Sequence, residues 1–168
     1  LTAWMWSRQL QLDVVSCSAA ISACERGAQW ERGLSILAEM EQRQLRPDVV
    51  SYSAAISACG KVARWQLGLD ILSGMGSRGV RPNVVSYNAT ISACARGGQW
   101  QWSLRLLDEM ATRRLEPDIV SYNAAIGGCE TGGHPRRSLR VLRAAVRRSV
   151  EPDEVTRCTS ISACRHGA

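Results

Sequence analysis

The sequence lacks the features that mark membrane and exported proteins. In 168 residues it has no run of about 18 apolar residues, the length that a transmembrane helix needs. Its first residues show no charged segment followed by an apolar one, as a signal peptide would. We therefore expect no membrane contact, and any targeting segment would lie outside this sequence.

Features of catalytic and metal sites are also missing. The chain has 2 histidines, His134 and His166, which are far apart in the sequence. It contains no Cys-x-x-Cys motif, no recurring carboxylate pair and no glycine-rich phosphate loop after a strand. From these absences we expect no enzyme activity, no cofactor and no bound metal.

What the chain does contain is a segment that recurs every 35 residues. The stretch RPNVVSYNATISAC at 81–94 has near copies before and after it. In register stand Pro47, Pro82, Pro117 and Pro152, and likewise Ser16, Ser51, Ser86 and Ser121. A period of this length with helical patterning predicts units that cannot bury their apolar faces alone and therefore stack into a solenoid.

We divide the chain into four full repeats, 14–48, 49–83, 84–118 and 119–153. Residues 1–13 match the C-terminal part of a repeat, and 154–168 match a first helix, so we expect a piece of a longer array. In 49–83, two sets of apolar residues have helical spacing, Tyr52, Ile56 and Cys59, then Trp65, Leu69, Leu72 and Met75. The predicted fold is all-α, a right-handed solenoid of antiparallel helix pairs with the first helices on its concave side.

The repeat at 119–153 departs from this pattern. Four glycines crowd the end of its first helix, and Pro135 stands where the other repeats have Trp. We expect a degenerate second helix there, with arginines spread round it at Arg136, Arg137, Arg140, Arg143, Arg147 and Arg148.

Five of the seven cysteines occupy one repeat position, namely Cys24, Cys59, Cys94, Cys129 and Cys164. Stacked repeats lie about 10 Å apart, which is too far for a disulfide. We therefore interpret these cysteines as small buried side chains in a reducing compartment.

Three segments, PDVVSYSAAI (47–56), PNVVSYNATI (82–91) and PDIVSYNAAI (117–126), resemble the opening of pentatricopeptide repeats of the P type. The period and the late methionines Met40, Met75 and Met110 agree with that family over essentially the whole chain. Tetratricopeptide repeats are the nearest alternative, but their period is about 34 and they do not begin in this way.

The resemblance implies an organellar protein, in chloroplast or mitochondrion, that binds single-stranded RNA with one base per repeat. In the family, the fifth and last residues of each repeat select the base. Those pairs are Ser18 with Asp48, Ser53 with Asn83, Asn88 with Asp118, and Asn123 with Asp153. The second residue packs against the base, which assigns that role to Val15, Val50, Val85 and Val120.

The spacing of polar residues in the first helices agrees with such a site. Ser18, Ser22 and Arg26 lie at i, i+4 and i+8, and the same stripe recurs in the next two repeats. We expect Arg26, Lys61 and Arg96 to contact phosphates. From periodicity alone, small polar residues on a solvated surface remain the stronger interpretation, and Asp or Asn at the last position could simply cap a helix.

The family's code, with RNA parallel to the chain, predicts the site 5′-GAUU-3′. Two other functions remain open: a protein-binding helical scaffold, or the RNA-binding part of a longer RNA-processing enzyme. The charge of +6 is compatible with a polyanionic partner but is a weak signal alone. We expect a monomer that could act with other RNA-processing factors. The tryptophans Trp30, Trp65 and Trp100 are predicted to pack in the core and not to stack on bases.

Overall fold

A computed structural model describes residues 13–148, 150 and 154. These residues form eight helices of 13 residues each and no strand. The helices are α1 (Val14–Arg26), α2 (Trp30–Gln42), α3 (Val49–Lys61), α4 (Trp65–Ser77), α5 (Val84–Arg96), α6 (Trp100–Thr112), α7 (Ile119–Thr131) and α8 (Pro135–Arg147). The predicted all-α solenoid of helix pairs is confirmed. Asp153 and most of the two partial repeats lie outside the described residues.

The first helix of every repeat begins at a side-chain cap. The backbone N–H of Ser51 donates to Oδ1 of Asp48 over 2.8 Å, and that of Ser121 donates to Oδ1 of Asp118 over 2.9 Å. Asp13 and Asn83 cap α1 and α5 in the same way. Each cap satisfies an amide that the helix itself leaves without a partner, which explains why Asp or Asn recurs at this position.

Each helix from α1 to α7 is followed two positions later by a residue with left-handed backbone. At the end of α1, Ala28 has a φ of 52°, and the N–H of Gln29 reaches back to the carbonyl of Cys24. Gln44 has a φ of 59° after α2, and Gly79, at the equivalent position after α4, has a φ of 76°. These hydrogen bonds satisfy the last carbonyls and turn the chain sharply into the next helix.

The repeats stack chiefly through their first helices. Among the described helices, α1, α3, α5 and α7 pack on one another in sequence, and α2, α4 and α6 each pack between their own first helix and the following one. The backbones approach closely at Gly60 of α3, where an added Cβ would lie 2.8 Å from the Cβ of Ala93. Small residues therefore hold adjacent first helices together.

The core is a set of equivalent positions in successive repeats. Fully buried members are Tyr52, Tyr87, Tyr122, Ile21, Ile56, Ile91, Ile126, Met40, Met75 and Met110. Two of the tyrosines pair their hydroxyls with carboxylates, as Tyr52 donates to Glu41 over 3.0 Å and Tyr87 to Glu109 over 2.8 Å. The core therefore runs the length of the described stack without a separate centre.

Three of the five repeated cysteines are buried as predicted, whereas Cys24 is half-buried and Cys164 lies outside the described residues. Cys59, Cys94 and Cys129 are free thiols without exposed surface. Burial raises the pKa of Cys59 to about 11 and that of Cys94 to about 12. Thiols with such high pKa values carry almost no thiolate at neutral pH, so they act as small apolar side chains.

The arginines of α8 are not spread round the helix, and that expectation is wrong. At about 100° per residue, the five arginines within α8 fall inside an arc of about 120°. All of them are exposed, whereas Ser138, Val141 and Ala145 are buried on the opposite side. The helix is also complete, with Pro135 in its first turn, where proline costs no hydrogen bond.

Candidate nucleic-acid interface

An open groove of about 670 Å³ runs along the first helices. Every residue that lines it belongs to α1, α3, α5 or α7, or to one of their N-terminal caps. Predicted site residues among them are Val50, Ser53, Asn83, Val85, Asn88, Arg96, Asp118 and Val120. The groove thus brings together second, fifth and last positions from successive repeats.

The fifth and last residues form a direct pair in the repeat at 84–118. The amide nitrogen Nδ2 of Asn88 donates to Oδ1 of Asp118 over 2.9 Å. The hydroxyl of Ser121, from the next repeat, donates to the amide oxygen of Asn88. One N–H of Asn88 therefore remains for a ligand, while the amide oxygen is already engaged.

The repeat at 14–48 has the same arrangement with a hydroxyl in place of the amide. Ser18 lies 3.4 Å from Oδ1 of Asp48 and 2.6 Å from the hydroxyl of Ser51. Ser51 donates to the same Oδ1 over 2.8 Å. Every bond that the Asp48 carboxylate accepts ends on Oδ1, so its second oxygen is left to an incoming group.

In the repeat at 49–83 the two residues predicted to select the base meet through a serine. The hydroxyls of Ser53 and Ser86 lie 3.1 Å apart, and Ser86 donates to Oδ1 of Asn83 over 3.2 Å. The backbone N–H of Ser86 donates to that same oxygen over 3.1 Å. Because an N–H needs an acceptor, the amide of Asn83 must turn its oxygen inward and its NH2 group outward.

The fourth predicted pair is described only in part. Asn123 is half-buried on α7, and its partner Asp153 lies outside the described residues.

The two described aspartates of these pairs stay ionised. Burial raises the pKa of Asp48 and Asp118, but hydrogen bonds from the backbone and side chain of Ser51 or Ser121, and from Ser18 or Asn88, outweigh it. The net pKa of each carboxyl is below its usual value of 3.8. At neutral pH both groups therefore only accept hydrogen bonds.

The four valines at the second position have large exposed fractions. These are 74% for Val15, 59% for Val50, 60% for Val85 and 51% for Val120. An apolar side chain held in solvent at every repeat gains from an apolar cover such as the face of a base.

The three predicted phosphate contacts differ in their surroundings. Arg26 is exposed at the end of α1, with no partner among the described residues. Arg96 donates from Nε to the carbonyl of Gly60 over 3.0 Å. Lys61 pairs with Glu25, with 3.6 Å between Nζ and Oε1. The structure therefore brings all three to the ends of first helices but gives one of them an acidic neighbour.

Comparison with known proteins decides the family. The sequence pattern of the PPR repeat family matches residues 47–96 and 82–131, and that of the pentatricopeptide repeat domain matches residues 3–62. The chain belongs to the pentatricopeptide repeat (PPR) family. No curated protein matches it.

Solved PPR structures share the fold. The crystal structure of PPR10 in complex with an 18-nt psaJ RNA element has a TM-score of 0.84 at 22% identity, over 98% of this chain and 24% of that chain. PPR10 from maize gives 0.81 at 22% identity, over 96% and 23% of the two chains. The PPR domain of Arabidopsis thaliana protein-only RNase P 1, in complex with tRNA, gives 0.78 at 12% identity, over 98% and 86%. The chain thus spans about a quarter of the PPR10 chain.

Trp65 and Trp100 of these PPR repeats are half-buried and contact the next repeat, and Trp65 packs against the core as predicted. The side chain of Trp65 lies against Gly97, where an added Cβ would come within 2.4 Å of it. Trp100 meets His134 in an edge contact, with ring centroids 4.5 Å apart, and the Arg137 guanidinium lies 3.8 Å from its centroid. These contacts leave the tryptophans outside the groove.

Two kinds of residue, one buried beside the groove and one lining it, were not predicted from the sequence. The serine column was noticed only as a marker of register, although Ser51, Ser86 and Ser121 bond to the selecting residues. Glu25 lies in the groove and accepts from Ser57 over 2.9 Å. The recurrence of serine at one repeat position was a signal that could have revealed the first kind. Glu25 recurs only as Glu130, so the repeat pattern gave no signal for it.

Metal and membrane functions gain no support from the described part of the PPR array. Its histidines, cysteines and acidic residues form no group of three or more that could hold a metal ion. Within the same residues, no helix has the length and hydropathy to cross a bilayer.

Proposed function

We propose that the chain binds single-stranded RNA along this groove, with one base at each repeat. The observation that carries the proposal is the pairing of fifth and last residues, which meet directly or through one serine in three successive repeats. The polar pairs alternate with exposed valines, so a base could bond at its edge while its face rests on an apolar surface.

The free hydrogen-bonding groups support a base preference at each repeat. Oδ2 of Asp48 and of Asp118 can only accept, which suits the ring N–H of G or U and opposes the ring lone pair of A or C. The outward NH2 group of Asn83 can donate to the ring nitrogen of A. Together with the family's code for Ser and Asn at the fifth position, this gives 5′-GAUU-3′ as the proposed site.

We further propose that this segment is part of a longer organellar protein that acts in RNA metabolism without a catalytic role of its own. The family resemblance supports the compartment. A four-base site recurs too often to select one transcript, so further repeats or partner factors would be needed for a single message.

The test measures fluorescence anisotropy of the 168-residue chain with short labelled RNAs at low salt. We expect the RNA that contains GAUU to bind more tightly than RNAs with any one of the first three bases changed, and binding to weaken as salt rises. Equal affinity for all RNAs would contradict base selection. An absence of binding to any RNA would favour a protein-binding scaffold.

A further inference from the structure

The third residue of each repeat is a serine that lies between base-selecting residues. Ser51, Ser86 and Ser121 have no exposed surface, although a serine on a helix surface would normally contact water. Each hydroxyl reaches the fifth and the last residue of the preceding repeat. A base site is therefore completed only when the next repeat is stacked beside it.

In the first two sites, the number of hydroxyl hydrogens limits which serine can donate in each bond. A hydroxyl carries one hydrogen. Ser51 donates to Asp48, and the one hydrogen of Ser18 has internal acceptors in the Val14 carbonyl at 2.7 Å and the Ser51 hydroxyl at 2.6 Å. Ser86 likewise donates to Asn83, which makes Ser53 the donor to Ser86. The hydroxyls of Ser18 and Ser53 are thereby left to accept, not to donate, at the groove.

In the third site the serine fixes an amide. Ser121 engages the oxygen of Asn88, and Asp118 engages one hydrogen of its NH2 group. Held from both sides, the amide presents its second N–H to the groove. That N–H can donate to a carbonyl oxygen of U while Oδ2 of Asp118 accepts the ring N–H of the same base.

We infer that Ser51, Ser86 and Ser121 are positioning residues for base selection, each acting on the site of the preceding repeat. The inference rests on the proposed function. It adds the residue at the third position of the next repeat to the fifth and last residues of the code. Two adjacent repeats would then select each base together.

Replacement of these serines by alanine removes the hydroxyl and keeps the main cap of each helix, although Ser121→Ala also loses the bond that the backbone N–H of Asp118 donates to its hydroxyl over 3.2 Å. The capping bonds from the backbone N–H of Ser86 and Ser121 to the last residue do not involve the hydroxyl. They survive in the variants, and alanine is a favourable helix residue. Circular dichroism melting checks that each variant folds.

The experiment compares relative affinities of the 168-residue chain for GAUU and for RNAs with one altered base. Ser121→Ala should lower the preference for U over C at the third base by about fivefold or more. Ser86→Ala should lower the preference for A over G at the second base to a similar extent. Each variant should leave the other positions unchanged within about twofold.

Ser16→Ala is the matched control, since Ser16 occupies the same column but is exposed. It bonds to Asp13, whose partner at the fifth position would precede the sequence, so none of the four base preferences should change. In the free chain, the NMR signals of the Asn88 side-chain amide should shift in Ser121→Ala and stay in place in Ser16→Ala.

The outcomes separate the inference from the proposed function. A wild-type chain that does not discriminate bases overturns the proposed function, and the inference falls with it. A wild-type chain that discriminates, with Ser121→Ala and Ser86→Ala discriminating equally well, overturns the inference alone. A uniform loss at every base in a folded variant also overturns it, because a positioning residue acts on its own site.

Discussion

Lys61 and Glu25 face each other across the boundary between two repeats, with 3.6 Å between Nζ and Oε1. Glu25 also accepts a hydrogen bond from Ser57, which lies one helical turn before Lys61. The carboxylate thus occupies the cation and the hydroxyl that we propose for contact with an RNA phosphate. A phosphate bound at this place has to compete with the Glu25 carboxylate for Lys61 and Ser57.

Glu25→Gln should raise the affinity for RNA. The change removes a negative charge from the groove and releases Lys61, whose ion pair is partly exposed and therefore weak. We expect a gain of about twofold to fivefold at low salt, as measured by fluorescence anisotropy. Glu31→Gln removes the same charge from the second helix α2 and serves as the control. An equal gain in both variants would mean that only net charge matters.

Replacement of Arg26, Lys61 and Arg96 together by alanine should weaken all RNAs about equally. Each phosphate contact on a single strand contributes about 0.7 to the slope of log affinity against log salt, so the slope should fall by up to about two. Titrations at several salt concentrations measure it. Arg140, Arg143 and Arg147, replaced together on α8, remove the same charge outside the groove and should leave the slope unchanged. If the α8 variant lowered the slope and the groove variant did not, the RNA would lie on α8.

The 35-residue period and the helical spacing of apolar residues predicted the helix pairs, and the family resemblance supplied the fifth and last residues that meet at the groove. A recurring Asp or Asn, three residues before a recurring Ser, is a local signal that needs no tertiary information. The contact of Glu25 with Lys61 could not be predicted in this way, because it depends on how far each repeat is shifted and rotated against the next. The arginines of α8 could have been placed correctly, since their spacing alone puts them on one side.

Gly60→Ala should destabilise the stack. Its new Cβ would lie 2.8 Å from the Cβ and 3.0 Å from the Cα of Ala93, so two helix backbones would have to move apart. We expect a loss of about 1–3 kcal/mol in the free energy of unfolding, measured by urea denaturation. Gly76→Ala, in α4, meets no atom within 4 Å and should gain up to about 1 kcal/mol from helix propensity. Equal effects would show that α3 and α5 are not in contact there.

Asn83→Asp should move the preference at the second base from A to G. The substitution is structurally conservative, because Asp48 and Asp118 cap their helices at the same position with bonds of 2.8 and 2.9 Å. What changes is the outward group, from an NH2 that donates to the ring nitrogen of A to an oxygen that accepts the ring N–H of G.

The size of that change follows from one base-edge contact, which is worth about 1–3 kcal/mol of discrimination. We would compare GAUU with GGUU RNA on the wild-type chain and on Asn83→Asp, with changes at the first and third bases as controls. The base preferences at the first and third positions should not change, because Asp48 and Asp118 and the serines bonded to them are unaltered. An unchanged preference at the second base would remove Asn83 from base selection and leave it only as the cap of α5.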